Sequence, residues 1–167
     1  MKKLTLDEIR GLELELMDAF TKLCEQNDIY FTLGGGTLLG AIRHQGFIPW
    51  DDDMDFGMPL ADYNKFLSVA KEELSDDFFL QHVTTDSGYI MPYAKVRMNG
   101  TKIYEAVAAD SKMHCGIWVD IFPFVSVEKK KIDSPLFFKK ANLKALCAVT
   151  RRKFLCRLRM PKQKAAG

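Results

Sequence analysis

Residues 51–55 read Asp-Asp-Asp-Met-Asp, and no other stretch of this 167-residue chain restricts the fold as much. Asp51, Asp52, Asp53 and Asp55 lie between Trp50 and the apolar run Phe56-Gly57-Met58. Crowded carboxylates raise one another's pKa and destabilise the fold that gathers them. A hard divalent cation relieves that repulsion, because carboxylate oxygens are its preferred ligands. Met54 to Met58 has the character of a strand, and alternation puts Asp53 and Asp55 on one face of it. The stretch therefore predicts a carboxylate pair holding Mg²⁺ or Mn²⁺ for chemistry on a phosphate. A solvated acidic loop is the plain alternative, and the apolar flanks weigh against it.

The residues just upstream support that reading. Ile29 to Leu33 is a short β-rich run, followed by Gly34-Gly35-Gly36 and then Thr37, a residue suited to cap a helix running to about His44. Glycines let backbone approach a ligand, and amides at a helix start attract phosphate. The Gly-Lys-Ser/Thr ending of a Walker loop is absent, and no βαβ unit with a ribose-binding acid follows. A plain turn is an equal reading of the glycines alone.

The rest of the chain reads as helices and strands in alternation. Thr5 and Glu8 have capping-box spacing, and Ile9, Leu12, Leu16, Phe20 and Leu23 form one stripe, so residues 5–27 make a helix. Pro59 stops the acid-bearing strand. Helix 61–73 follows, with Tyr63, Phe66, Leu67, Ala70 and Leu74 inward. Phe78 to Val83 is a strand. Tyr93–Met98, Asn99-Gly100 and Thr101–Val107 read as a hairpin with a type I′ turn. Gly116 to Phe122 is the last strand. The pattern predicts an α/β (α+β) fold, a mixed sheet flanked by helices.

Several further residues are candidates. Asp120 lies alone in Gly-Ile-Trp-Val-Asp-Ile-Phe-Pro-Phe, where a carboxylate needs either a basic partner or a metal. Lys95 and Arg97 share a strand face and suit phosphate, although a solvated face fits them as well. His44, next to Arg43, and His114 suit proton transfer or phosphate contact, against a structural hydrogen bond for each. Trp50 and Trp118 suit core or pocket walls.

Charge divides the chain. Residues 1–127 carry 11 Lys and Arg against 20 Asp and Glu, whereas residues 128–167 carry 13 against 2. This predicts a catalytic body over 1–127 and a basic helical tail over 128–167, helical from Asp133 to about Leu158. Such a tail suits an anionic membrane surface, an acidic polymer or a missing part of a larger protein. Its aromatic residues are not laid out on a strand platform, which argues against nucleic acid. Cys24, Cys115, Cys147 and Cys156 have no zinc spacing and no secretory leader precedes them, so reduced thiols in the cytoplasm are expected, peripheral at the inner membrane face if the tail docks there.

The run from Gly34 to Pro59, with Lys95-Val96-Arg97 before Asn99-Gly100-Thr101 and His114-x-Gly116-Ile117-Trp118-Val119-Asp120-Ile121-Phe122-Pro123, closely resembles the LicD family of phosphocholine transferases. That family belongs to the nucleotidyltransferase-fold superfamily, with the fukutin-related proteins. The resemblance covers roughly residues 5–158. It implies Asp53, Asp55 and Asp120 as catalytic, metal-holding acids. It implies Gly35, Gly36 and Thr37 at the donor phosphate, and the charges of Arg43, His44, Lys95 and Arg97 suit them to assist. Trp50, Asp52, His114 and Trp118 would complete the pocket. It implies transfer of phosphocholine from CDP-choline, or another CDP-alcohol, to a hydroxyl of a glycan such as teichoic acid or lipopolysaccharide. A nucleotidyltransferase acting on a small acceptor, or a non-catalytic nucleotide- or membrane-binding domain, are the alternatives. Members of the family usually continue for about a hundred residues more, so this chain is expected to be short relative to them.

Overall fold

The computed structural model describes residues 2–103 and 113–128. The basic tail, the return strand of the expected hairpin beyond residue 103, Cys147 and Cys156 lie outside the described residues. Within them the order is α1 (Leu6–Gln26), β1 (Thr32–Leu33), α2 (Gly35–His44), β2 (Asp55–Pro59), α3 (Leu60–Glu73), β3 (Phe78–Gln81), β4 (Ala94–Met98) and β5 (Trp118–Phe124).

The expected capping box opens α1: Glu8 N–H donates to the Thr5 hydroxyl, and the Glu8 carboxylate accepts from Thr5 N–H at 2.8 Å. Its apolar stripe is buried against the sheet through Leu16, Phe20 and Leu23. α3 buries Tyr63, Phe66 and Ala70 on the same sheet face.

The strands form one mixed sheet in the order β1-β2-β5-β4-β3. β2 and β5 are parallel at the centre, and the other pairs are antiparallel. Phe20 stands at the middle of the core, its ring 4.6 Å from Phe56 and 5.5 Å from Phe66, centroid to centroid. Burying one such aromatic side chain stabilises by roughly 1.5–3 kcal/mol.

Four expectations change. The Ile29–Leu33 strand shrinks to the two residues of β1, a short edge. α2 begins at Gly35, with Gly34 as its N-cap and no side-chain cap, because the Thr37 hydroxyl accepts from Asp55 N–H at 2.7 Å instead. Asn99-Gly100 is not a type I′ turn: that turn needs positive φ at both central residues, and only Gly100 has it, at +73°. β4 pairs instead with β3 and β5, which fill both its edges and bury all five of its residues.

Candidate active site

The sheet register lines up the chemistry. Asp55 pairs with Asp120, Asp120 with Lys95 and Lys95 with Gln81, giving one row across four strands. Alternation turns this row to the face opposite Phe56, Ile121 and Ala94, which lie in the core. Asp53 lies two residues before β2 begins, off the strand, yet it still joins the group. One oxygen each of Asp53, Asp55 and Asp120 lies within 4.8 Å of the others.

Each carboxylate is held differently. Asp120 is 6% exposed; Lys95 Nζ is 3.1 Å from its Oδ1, and Trp118 Nε1–H donates to its Oδ2 at 3.1 Å. Burial still raises its pKa, opposed by Lys95 and Trp118. Asp55 receives the Gly36 N–H at the start of α2. Its pKa is raised, first by burial and then by Asp51. Asp53 is pushed up to about 6 by burial and by Asp55, Asp51, Asp120 and Asp52. The three are a crowded set of hard oxygen donors, with Lys95 paired to Asp120 and its charge also opposing the rise at Asp55. That donor chemistry fits a divalent metal.

The glycines explain how α2 comes so close. Gly35 has φ +46°, and a Cβ there would fall on Asp55 Oδ2. A Cβ on Gly36 would meet Asp51 Oδ2.

The structure brings together Asp53, Asp55, Asp120, Gly35, Gly36, Thr37, Lys95 and Trp118. The Trp118 ring lies 4.0 Å from Lys95 Nζ and 5.1 Å from the Arg97 guanidinium. Arg97 is fully buried, its guanidinium donating to Gln81 Oε1 and the Gly116 carbonyl, both at 2.5 Å. The solvated-face reading of Lys95 and Arg97 is thereby excluded.

The other candidates are not part of that cluster, although Asp52 still acts on Asp53 through its charge. Arg43 and His44 close α2, roughly 12 Å along its axis from Gly35, and both are exposed. Trp50 is 79% exposed and Asp52 is exposed. His114 Nδ1 accepts from Gly116 N–H at 3.1 Å, Nε2 meets Asn99 Oδ1 at 2.8 Å, and the ring stacks on Phe79. This geometry fits a neutral ring, in keeping with a pKa lowered by burial and by Arg97. His114 thus supports the Gly116 loop.

Two residues of α1 matter that the motif search missed. Arg10 donates to the carbonyls of Ile48 (2.7 Å) and Asp51 (2.9 Å and 3.1 Å), clamping the acidic loop. Glu13 is 1% exposed, its Oε2 has no hydrogen-bond partner among the described residues, and burial with Asp53 and Asp52 pushes its pKa up to about 8. A glutamate four residues after Ile9 and three before Leu16, on the buried stripe, was the available signal.

A mixed sheet that converges three carboxylates beside a glycine-opened helix defines the nucleotidyltransferase class. The chain belongs to the LicD/FKTN/FKRP nucleotidyltransferase-domain family, whose sequence model matches residues 28–150. It is 37% identical over 157 residues to the lipopolysaccharide cholinephosphotransferase LicD of Haemophilus influenzae, covering 93% of this chain and 58% of that protein. It is 35% identical over 83 residues to an uncharacterised protein of Rickettsia typhi, covering 49% of this chain and 27% of that one. It is 28% identical over 94 residues to the mouse ribitol 5-phosphate transferase FKRP, covering 56% and 17%. The chain thus spans less than three-fifths of the length of each of these relatives. No helix among the described residues is long and apolar enough to cross a membrane.

Proposed function

We propose that the chain carries the donor-activating centre of a phosphocholine transferase, acting on CDP-choline or a related CDP-alcohol and delivering the phospho-alcohol to a hydroxyl of a cell-surface glycan such as lipopolysaccharide or teichoic acid. The observation that carries this reading is the convergence of Asp53, Asp55 and Asp120 within 4.8 Å beside the start of α2. The named activity of the Haemophilus relative supports the choice of alcohol and acceptor.

Phosphoryl-type transfer depends on positioning and charge neutralisation more than on covalent help. Asp53, Asp55 and Asp120 would hold Mg²⁺ or Mn²⁺, which when bound neutralises the pyrophosphate and the departing CMP. Gly35, Gly36 and Thr37 bring backbone amides and a hydroxyl to the same point, where a helix start favours phosphate oxygens. Lys95 keeps Asp120 charged and aimed, and Trp118 holds its other oxygen. With both oxygens engaged, Asp120 suits the ligand role better than that of a base for the acceptor hydroxyl. Full turnover by Asp120→Asn would remove it from the base role, and full turnover by Asp120→Ala from the ligand role as well.

The test is CMP release from CDP-choline with Mg²⁺ and a lipopolysaccharide or teichoic acid acceptor. Release that disappears in EDTA and in Asp53→Ala/Asp55→Ala is the expected result. Phosphocholine released in place of CMP, with CMP left on the acceptor, or pyrophosphate released when CTP replaces CDP-choline, would favour a nucleotidyltransferase. Binding of nucleotide or anionic liposomes without turnover would favour a non-catalytic domain.

A further inference from the structure

A cavity of about 300 Å³ lies between α1 and α2, next to the acidic loop. Its walls include Leu14 and Met17 from α1, Leu33 from β1, and Phe47, Asp51 and Met54 from the loop leading into β2. These side chains are apolar but for the Asp51 carboxylate, and Gln45 and Thr37 add an amide and a hydroxyl to the lining. Asp51 belongs to both places: it lines this cavity, and its charge raises the pKa of Asp53 and Asp55. Its Oδ2 also sits where a Cβ on Gly36 would fall, beside the start of α2.

We propose that this cavity seats the trimethylammonium head of the donor's choline, an assignment that rests on the donor reading above. A quaternary ammonium spreads its charge over methyl groups and has no N–H to satisfy, so apolar walls with one carboxylate suit it. Aromatic rings attract such a cation with about 0.5–2 kcal/mol, and methionine adapts to its shape. The volume is at the lower limit of about 300 Å³ for small-molecule pockets, which suits a headgroup rather than a nucleotide.

The competing occupants fit less well. A pyrimidine base needs several fixed donors and acceptors; Leu14, Met17, Leu33, Phe47 and Met54 offer none, and Gln45 is the single side-chain amide in the lining. The Thr37 hydroxyl at the edge already accepts from Asp55 N–H, and the Asp51 carbonyl accepts from Arg10. A primary ammonium needs three acceptors. A phosphate would meet Asp51. Arg10 lies over the Phe47 ring, 5.3 Å from its centroid, with its guanidinium committed to the Ile48 and Asp51 carbonyls.

Methyl-¹³C methionine NMR on the full chain tests the seat directly, because Met17 and Met54 line it. With Mg²⁺ present, CDP-choline is expected to shift both methyl signals, and CMP to leave them in place. Titrations should show CDP-choline binding about tenfold more tightly than CDP-ethanolamine. Ala41→Phe, which fills the cavity from α2, should bring that ratio to about one and leave CMP affinity within twofold. CDP-choline that binds without moving Met17 or Met54, or a preference that survives Ala41→Phe, would overturn the seat and leave the donor reading standing. If neither CDP-choline nor CMP binds, the donor reading falls and phosphocholine alone decides the cavity. Shifts of Met17 and Met54 that phosphoethanolamine does not reproduce would uphold the ammonium seat, and their absence would overturn it.

Discussion

The sheet face under α1 and α3 and the face that carries Asp55 are made by the same strands, yet they answer to different physics. Under the helices, Phe20, Phe56, Phe66, Val96 and Ile121 are fully buried, and any apolar shape of similar volume would serve. On the other face, Asp120, Lys95, Arg97 and Gln81 are nearly as buried, but each depends on a particular partner. One face is insensitive to direction and sensitive to volume; the other is the reverse. The proposed function uses the second face, where charges held against their own repulsion would favour a cation.

Mutations on the two faces should separate these rules. The largest effect expected is on activity: Asp55→Ala should lower CMP release by at least about a thousandfold, losing most of the charge stabilisation the site provides, while thermal stability in EDTA holds or rises. A melt lowered as far as that of a core variant would mean Asp55 is structural. Next, Phe20→Ala should cost about 3–5 kcal/mol in denaturant unfolding, and Phe20→Leu well under half of that.

Lys95→Met should cost a similar amount, about 3–5 kcal/mol, because it strands Asp120 as a buried charge. Lys95→Met/Asp120→Leu should recover most of the loss, as replacing a buried pair by apolar residues does. A double variant no better than the single would show that volume, not charge, governs this face too.

Glu13 tests the seam where α1 meets the acidic loop. Its pKa rises from the ordinary 4.5 to about 8, so between those values the folded state holds a proton that the unfolded state has lost. Its contribution to stability is therefore full below about pH 4.5 and lost as pH rises through about 8. Glu13→Gln should remove that slope in EDTA melts and stabilise at pH 8 by on the order of 2 kcal/mol. An unchanged slope would place the titrating group elsewhere. The smallest effect is Trp118→Phe, which deletes the Nε1–H donor to Asp120 and should cost about 1–2 kcal/mol, with reduced turnover.

Much of this was legible in the linear chain. The capping box and stripe of α1 are local, with partners three and four residues apart, and the helix bounds came out at Leu6–Gln26. The inward residues of α3 follow the same period. The acids Asp53, Asp55 and Asp120 stood out by type and setting, and they converge. The Thr37 cap and the Asn99-Gly100 turn were misread because local preference was overruled. Thr37 serves the backbone of Asp55, eighteen residues on, and β4 has strands on both edges before any return strand could pair with it.

The sequence by itself determined the elements and the chemistry available, since helical period, strand alternation and crowded carboxylates depend only on neighbours along the chain. Tertiary structure alone decided which charges meet. The parallel pairing of β2 with β5 sets Asp55 beside Asp120, across sixty-five residues of chain, and β4 then brings Lys95 against Asp120. It also turned Arg97 inward, left Trp50 and His44 at the surface, and brought Glu13 near Asp53. Register and burial are properties of the assembled sheet, so no local pattern could have stated them.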